Sequence, residues 1–172
     1  MENIVGKIKL AIIAVFGALS GWLGALAVPF GLLVMANIVD YGTGLAAAPY
    51  RGQQRNSYKG IKGIAKKVCM WMLVGVGVMV DTLLTYCTDG LGWDVPVNFL
   101  VGCIVAVWLL TNELISIIEN ISDIGVDVPP FLLPVVKWVK QKAETTASDA
   151  VPAGVPNTAS TEKNSAETSK TE

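Results

Sequence analysis

Hydrophobic positions along this chain fall in long runs, not in the alternation of strands or the narrow stripes of soluble helices. Residues 10–39 carry no charge at all. A helix needs about 20 apolar residues to cross a hydrocarbon core about 30 Å thick, so this run is more than one crossing requires. Four apolar segments are predicted as spans, at about 4–19, 26–48, 68–86 and 95–118. Ser20, Gly21, Trp22, Leu23 and Gly24 form the break between the first two: glycines favour a tight turn, and Trp suits the lipid–water interface. Pro29 then falls near the start of the second helix, where its missing N–H matters least. One unbroken helix from Leu10 to Ala48 would be about 58 Å long, far more than a bilayer core. Two spans fit better, and a tilted or interfacial first helix, leaving three spans, is the alternative.

The pattern changes outside these runs. Ser57 is a suitable N-cap for a helix that starts at Tyr58 and runs into the third span, with Ile61, Ile64, Ala65 and Val68 on one side. After the fourth span the helix continues through Asn120 and Asp123, Gly125 stops it, and Pro129-Pro130 prevents its continuation. In the segment 131–142, Phe131, Val135 and Val139 recur every four residues, as do Leu132 and Val136. Lys137, Lys140, Lys142 and Trp138 accompany them, which predicts a short helix on the inner membrane face, with Pro134 in its first turn. Residues 143–172 contain no Leu, Ile, Phe, Tyr or Trp and are predicted to be disordered. The expected fold is an all-α integral membrane protein. It has four (alternatively three) transmembrane helices and a short interfacial cytoplasmic helix in residues 1–142, followed by a disordered polar cytoplasmic tail.

Charge adds orientation. The net charge of -1 is the sum of a +2 body and a -3 tail beginning at Ala143. Arg51, Arg55, Lys59, Lys62, Lys66 and Lys67 form one loop without an acid, and the positive-inside rule places it in the cytoplasm. The next loop holds Asp89 and Asp94 and no base, so it faces outward. Four spans then put both termini in the cytoplasm, in accord with Lys7 and Lys9; three would put those lysines outside. The basic loop reads as a snorkelling collar at the lipid headgroups, not as a nucleic-acid site. Lys7, Lys9 and Ala25-Leu26-Ala27 mimic a cleaved signal peptide, but the chain stays apolar for another full span after Ala27.

Composition narrows the chemistry. Only 16% of residues are charged and 52% are hydrophobic. Histidine is absent, which excludes Ser-His and Cys-His catalytic pairs and His-ligated metal sites. Cys69, Cys87 and Cys103 are odd in number, lack CxxC spacing and lie in or beside apolar segments, where Cys acts as a small hydrophobe. No enzyme activity, metal or cofactor is expected.

Asp40, Asp81 and Glu113 are the ionisable residues within the spans. A charge at mid-bilayer costs at least about 2.5–3.5 kcal/mol on insertion scales, so such groups face a protein interior or water. Asp40 shares a face with Ala36 and Gly44, and Asp81 with Gly77 and Thr85. Glu113 lies on a polar stripe with Asn112, Ser116, Glu119 or Asn120, and Asp123. Asp40 and Glu113 fall towards the cytoplasmic side. Asp81 lies about 20 Å beyond Lys67 by helical rise, so the three do not form one compact site in a monomer. Two readings compete: protonated or paired contacts that hold helices together, or the lining of a polar lumen in an oligomer. Small residues at Gly17, Gly21 and Ala25, and at Gly75 and Gly77, suit close helix packing.

Four ordered stretches resemble a known family. Asp40-Tyr41-Gly42-Thr43-Gly44 resembles the DYxTG signature of the toxin-secretion/phage-lysis holins. The stretch from Ser57 to Lys67, with Gly60 and Lys66, is similar to that family's Ser–Gly–basic loop, and Asp81 falls where its next helix carries Asp. Asn112-Glu113-Leu114-Ile115-Ser116-Ile117-Ile118-Glu119-Asn120 is similar to its NELxSIxEN stretch. The resemblance covers about residues 10–142 and leaves the tail without a counterpart. It implies a multi-pass protein of the bacterial cytoplasmic membrane that homo-oligomerises into lesions, so that an endolysin reaches the cell wall or a toxin leaves the cell. Two other classes remain open: an anchor subunit that recruits a partner through its tail, and a small channel or carrier using an acid such as Asp81.

Overall fold

A computed structural model describes residues 2–52, 57–92 and 100–151. The described residues are helical, with short turns between helices: α1 (Glu2–Leu23), a 3-10 turn (Gly24–Leu26), α2 (Ala27–Ala47), α3 (Ser57–Leu91), α4 (Val101–Asp123) and α5 (Leu132–Ala150). Among them, three stretches are long and apolar enough to cross a membrane: Gly24–Ala47, Gly60–Leu91 and Val101–Asp123. These correspond to the second, third and fourth expected spans. The first expected span forms α1, which is not among the three. Its side chains from Ile4 to Leu10 are exposed, and its contacts are with α2 and the joining turn.

The break between α1 and α2 falls where the glycines predict it. Gly24 takes φ +51°, a left-handed conformation that a side chain would resist. Pro29 sits in the first turn of α2, whose N–H groups have no intrahelical acceptor. At the other end of the bundle, α4 stops in a Schellman motif. Gly125 has φ +96°, its N–H donates to Ser122 O at 2.9 Å, and Val126 N–H donates to Ile121 O at 3.3 Å.

α4 is the centre of the fold. It packs against α2, α3 and α5, whereas α2 and α3 barely touch. Leu26, Leu33, Val74, Ala106 and Leu109 form the apolar core. Each flanking helix turns one stripe inward at helical spacing: Leu33, Asn37, Asp40, Gly44 and Ala47 on α2, and Lys67, Met70, Val74, Gly77 and Asp81 on α3. The opposite sides remain apolar and exposed, as at Met35, Ile38, Met72, Met79 and Leu83. Lipid-facing helices need that distribution, since polar and small residues carry the helix contacts in a bilayer.

Three boundaries differ from the expected ones. α3 begins at Ser57 itself, one long helix that joins the basic stretch to the span, while Arg55 lies outside the described residues. α4 begins at Val101, and the expected start of that span at Val95 also lies outside them. α5 runs past its expected end at Lys142 to Ala150, so residues 143–150 are helical and not disordered. Composition hid this. The alanines at 143, 147 and 150 are strong helix formers, and they continue the inward stripe begun by Leu133, Val136 and Val139. Residues 152–172, the rest of the expected tail, lie outside the described residues.

Candidate intramembrane polar site

The inward stripes of α2, α3 and α4 converge on Lys67. Its ammonium donates to Asp40 Oδ2 at 2.8 Å and to Asn37 Oδ1 at 3.3 Å, and it forms an ion pair with Glu113 Oε2. An ammonium has three protons, and three acceptors from two other helices face this one. The side chains of Lys67, Asp40 and Glu113 are 14%, 17% and 8% exposed, which makes this a largely buried triad and not a surface pair. Two carboxylates share one cation.

A second layer extends the cluster to the loop end of the bundle. Asn120, 3% exposed, donates through Nδ2 to Asp40 Oδ1 at 3.1 Å and to Thr43 Oγ1 at 3.2 Å. Thr43 in turn donates to the Asp40 carbonyl at 3.2 Å. Arg51, just beyond α2, donates to Asn120 Oδ1 at 2.8 Å and pairs with Asp123. Asn37 is buried, and its Nδ2 has no acceptor among the described residues. Gly44 lies alongside this layer: a β-carbon there would sit 3.5 Å from Asn120 Nδ2, an ordinary contact, so space alone does not demand glycine.

Asp81 does something different. Its two carboxylate oxygens accept the N–H groups of Val101 at 2.6 Å and Gly102 at 2.9 Å. The first N–H groups of α4 have no intrahelical acceptor, so α3 supplies the cap that the flanking Leu100 does not. The same contact brings the backbones together. A β-carbon on Gly77 would lie 2.8 Å from Gly102 Cα, closer than real side chains approach. A cleft of about 330 Å³ beside this cap is lined by Leu26, Asp81, Thr82, Thr85 and Cys103.

The structure thus brings together Asp40, Glu113, Asn120 and Thr43 and keeps Asp81 apart, at the far end of the span. Asn112, Ser116 and Glu119 stand outside the triad and its second layer. Tyr41 is exposed on α2, with its hydroxyl beside Gly60 on α3, and Lys62 and Lys66 are exposed. The Ser57 and Lys59 side chains lie outside the described residues. Lys67 belongs to the expected collar by sequence, yet it points inward as the hub of the cluster. Its signal was its place one helical step before Met70 and Val74 on the buried stripe. Asn37 was missed, although it stands three residues before Asp40 on the same face. Among the described residues no group of His, Cys, Asp and Glu is arranged to hold a metal ion. The cysteines are free thiols.

Comparison with known proteins follows the same stretch of chain. A family model described as the bacteriophage holin family matches residues 17–141. An uncharacterized protein of Halalkalibacterium halodurans is 33% identical over 72% of this chain and 86% of its own length. One from Clostridium perfringens is 32% identical over 83% of this chain and 97% of its own. One from Listeria monocytogenes is 36% identical over 68% and 76%. No solved structure matches the chain.

Proposed function

From the premise that this multi-pass membrane protein belongs to the bacteriophage holin family, we propose that it oligomerises in the bacterial cytoplasmic membrane and opens lesions there. An endolysin then reaches the cell wall and the host lyses, or a toxin leaves the cell. The observation that carries this reading is the Lys67 triad. Charged groups at membrane depth are expensive unless they pair with one another or meet water. Here they pair between helices that otherwise barely touch, α2 and α3. An assembly that hydrates them has an alternative to that pairing, and two carboxylates on one cation make the paired state easy to unbalance.

The basic stretch that ends at Lys67 is proposed to face the cytoplasm, with Asp40, Asn120 and Asp123 near that side and Asp81 near the outer side. α1 is proposed to add a fourth crossing, which keeps Lys7 and Lys9 cytoplasmic. Expression of the gene from an inducible promoter in bacteria, with and without a co-expressed endolysin, tests the proposal. The expected result is abrupt loss of membrane potential at a reproducible time, followed by lysis when the endolysin is present. Continued growth with an intact potential, despite accumulation in the membrane, overturns it.

A further inference from the structure

The geometry points to α5 as the water-facing wall of the lesion: its inward stripe docks on α4 at membrane depth, and its polar side lines the aqueous passage. This rests on the lesion-forming reading and names the element that meets the water.

After the Gly125 stop the chain turns back, and α5 runs antiparallel to α4. Trp108 lies about 22 Å from Asp123 by helical rise. Its indole N–H nevertheless donates to Glu144 Oε1 at 2.8 Å, and Lys140 Nζ stands 5.0 Å from its ring centroid. A cleft of about 270 Å³ between the two helices is lined by Cys103, Val107, Val139, Ala143 and Thr146. Cys103 is about 30 Å from Asp123, the thickness of the hydrocarbon core. α5 therefore follows α4 over nearly the whole span and carries its C-terminal end towards the outer side, in place of the expected cytoplasmic C-terminus, whereas a helix resting on the inner membrane face would meet only its end.

The two sides of α5 differ in chemistry. Leu133, Val136, Val139, Ala143 and Ala147 turn inward, and the alanines let the backbones approach closely. Lys137, Gln141, Lys142, Thr145, Ser148 and Asp149 are exposed, and Leu132, Val135 and Trp138 are exposed with them in the first turns. From Gln141 to Asp149 the exposed residues are all polar, and against lipid that stretch is strongly unfavourable. Against water it carries no penalty. The outer side of α3, with Met72, Met79 and Leu83, has the opposite chemistry and suits lipid. With α4 in the membrane, α5 needs water along its outer side, and a ring of copies that turn α5 inward supplies it.

Two measurements on the full chain in membranes test depth and environment separately. Cys69→Ser and Cys87→Ser leave Cys103 as the remaining thiol, and Thr146→Cys places a second one across the cleft. Oxidation with copper–phenanthroline is expected to join the two within one chain. Failure to join overturns the inference, because it places α5 away from the span. In a chain with all three cysteines replaced, a bimane label at Gln141→Cys is expected to be quenched several-fold more by iodide than a label at Met79→Cys. Spin-labelled lipid is expected to give the reverse order. Lipid quenching at position 141 overturns the inference even if the cross-link forms. Failure of the lesion-forming reading is distinguishable: the unmodified chain leaves vesicles tight to dye while the helix pair still cross-links.

Discussion

Replacing Lys67 with Met removes the cation and keeps much of the side-chain volume, leaving the carboxylates of Asp40 and Glu113 without a balancing charge. The lysine and glutamate side chains are 14% and 8% exposed, so the regime is that of a buried pair. Removing one partner of such a pair costs about 3–5 kcal/mol, because the other charge remains buried and uncompensated. This is well above the roughly 0.6 kcal/mol of an average interhelical polar contact in a bilayer. At 1.4 kcal/mol per tenfold, the folded-to-unfolded ratio should fall roughly a hundredfold to a few thousandfold. The assay is reversible unfolding of the purified chain in bicelles, read by tryptophan fluorescence. The triple variant Lys67→Met, Asp40→Asn, Glu113→Gln is the control. It removes both stranded charges and should recover stability to within about 1 kcal/mol of the unmodified chain, the scale of a single net hydrogen bond. A Lys67→Met chain as stable as the original, or a triple variant as unstable as the single one, would refute the claim that the triad is a buried charge balance.

Further outcomes follow from the same geometry. Arg51→Ala should cost no more than about 1 kcal/mol in that assay, since Arg51 and Asp123 are 35% and 43% exposed and water screens the pair. Asp81→Ala should cost about 0.5–2 kcal/mol, the range for a lost helix cap, and should speed amide hydrogen exchange at Val101 and Gly102 before any residue near Lys67. Gly77→Ala should lower stability by about 1–3 kcal/mol through overpacking against Gly102, while Gly75→Ala, which meets nothing within 4 Å, should not. Deletion of residues 152–172 should leave the timed loss of membrane potential intact in induced cells; loss of that activity would favour a tail-dependent anchor.

The membrane character of the chain is legible without any structure. A charge-free stretch across residues 10–39 is longer than one crossing requires, and hydrophobic length places α2, Ala27–Ala47, within a residue of the expected 26–48, whereas α4 runs Val101–Asp123 in place of the expected 95–118. Gly24, Pro29 and Gly125 punctuate the helices where local backbone preferences require. Separation along the bundle was legible too: rise per residue sets Asp81 apart from Asp40 and Glu113, and the structure keeps them apart. Composition misled at the C-terminus. Ala143, Ala147 and Ala150 look like part of a polar tail, but as a stripe at helical spacing they extend α5 along α4.

Sequence by itself determined which segments are apolar and long enough to cross a membrane, where they break and which charges fall within them, because those properties depend on each segment's own hydrophobicity and backbone. Tertiary structure alone decided partnership. Lys67 lies within a run of like charges and reads as a surface collar until three helices place Asn37, Asp40 and Glu113 around its ammonium. Asp81 reads as an isolated acid until α4 presents two uncapped N–H groups to it. Glycine at 102 carries no signal until Gly77 crosses it. A pairing between distant residues depends on how helices pack, and in a bilayer that packing is set by contacts between helices that no single segment contains.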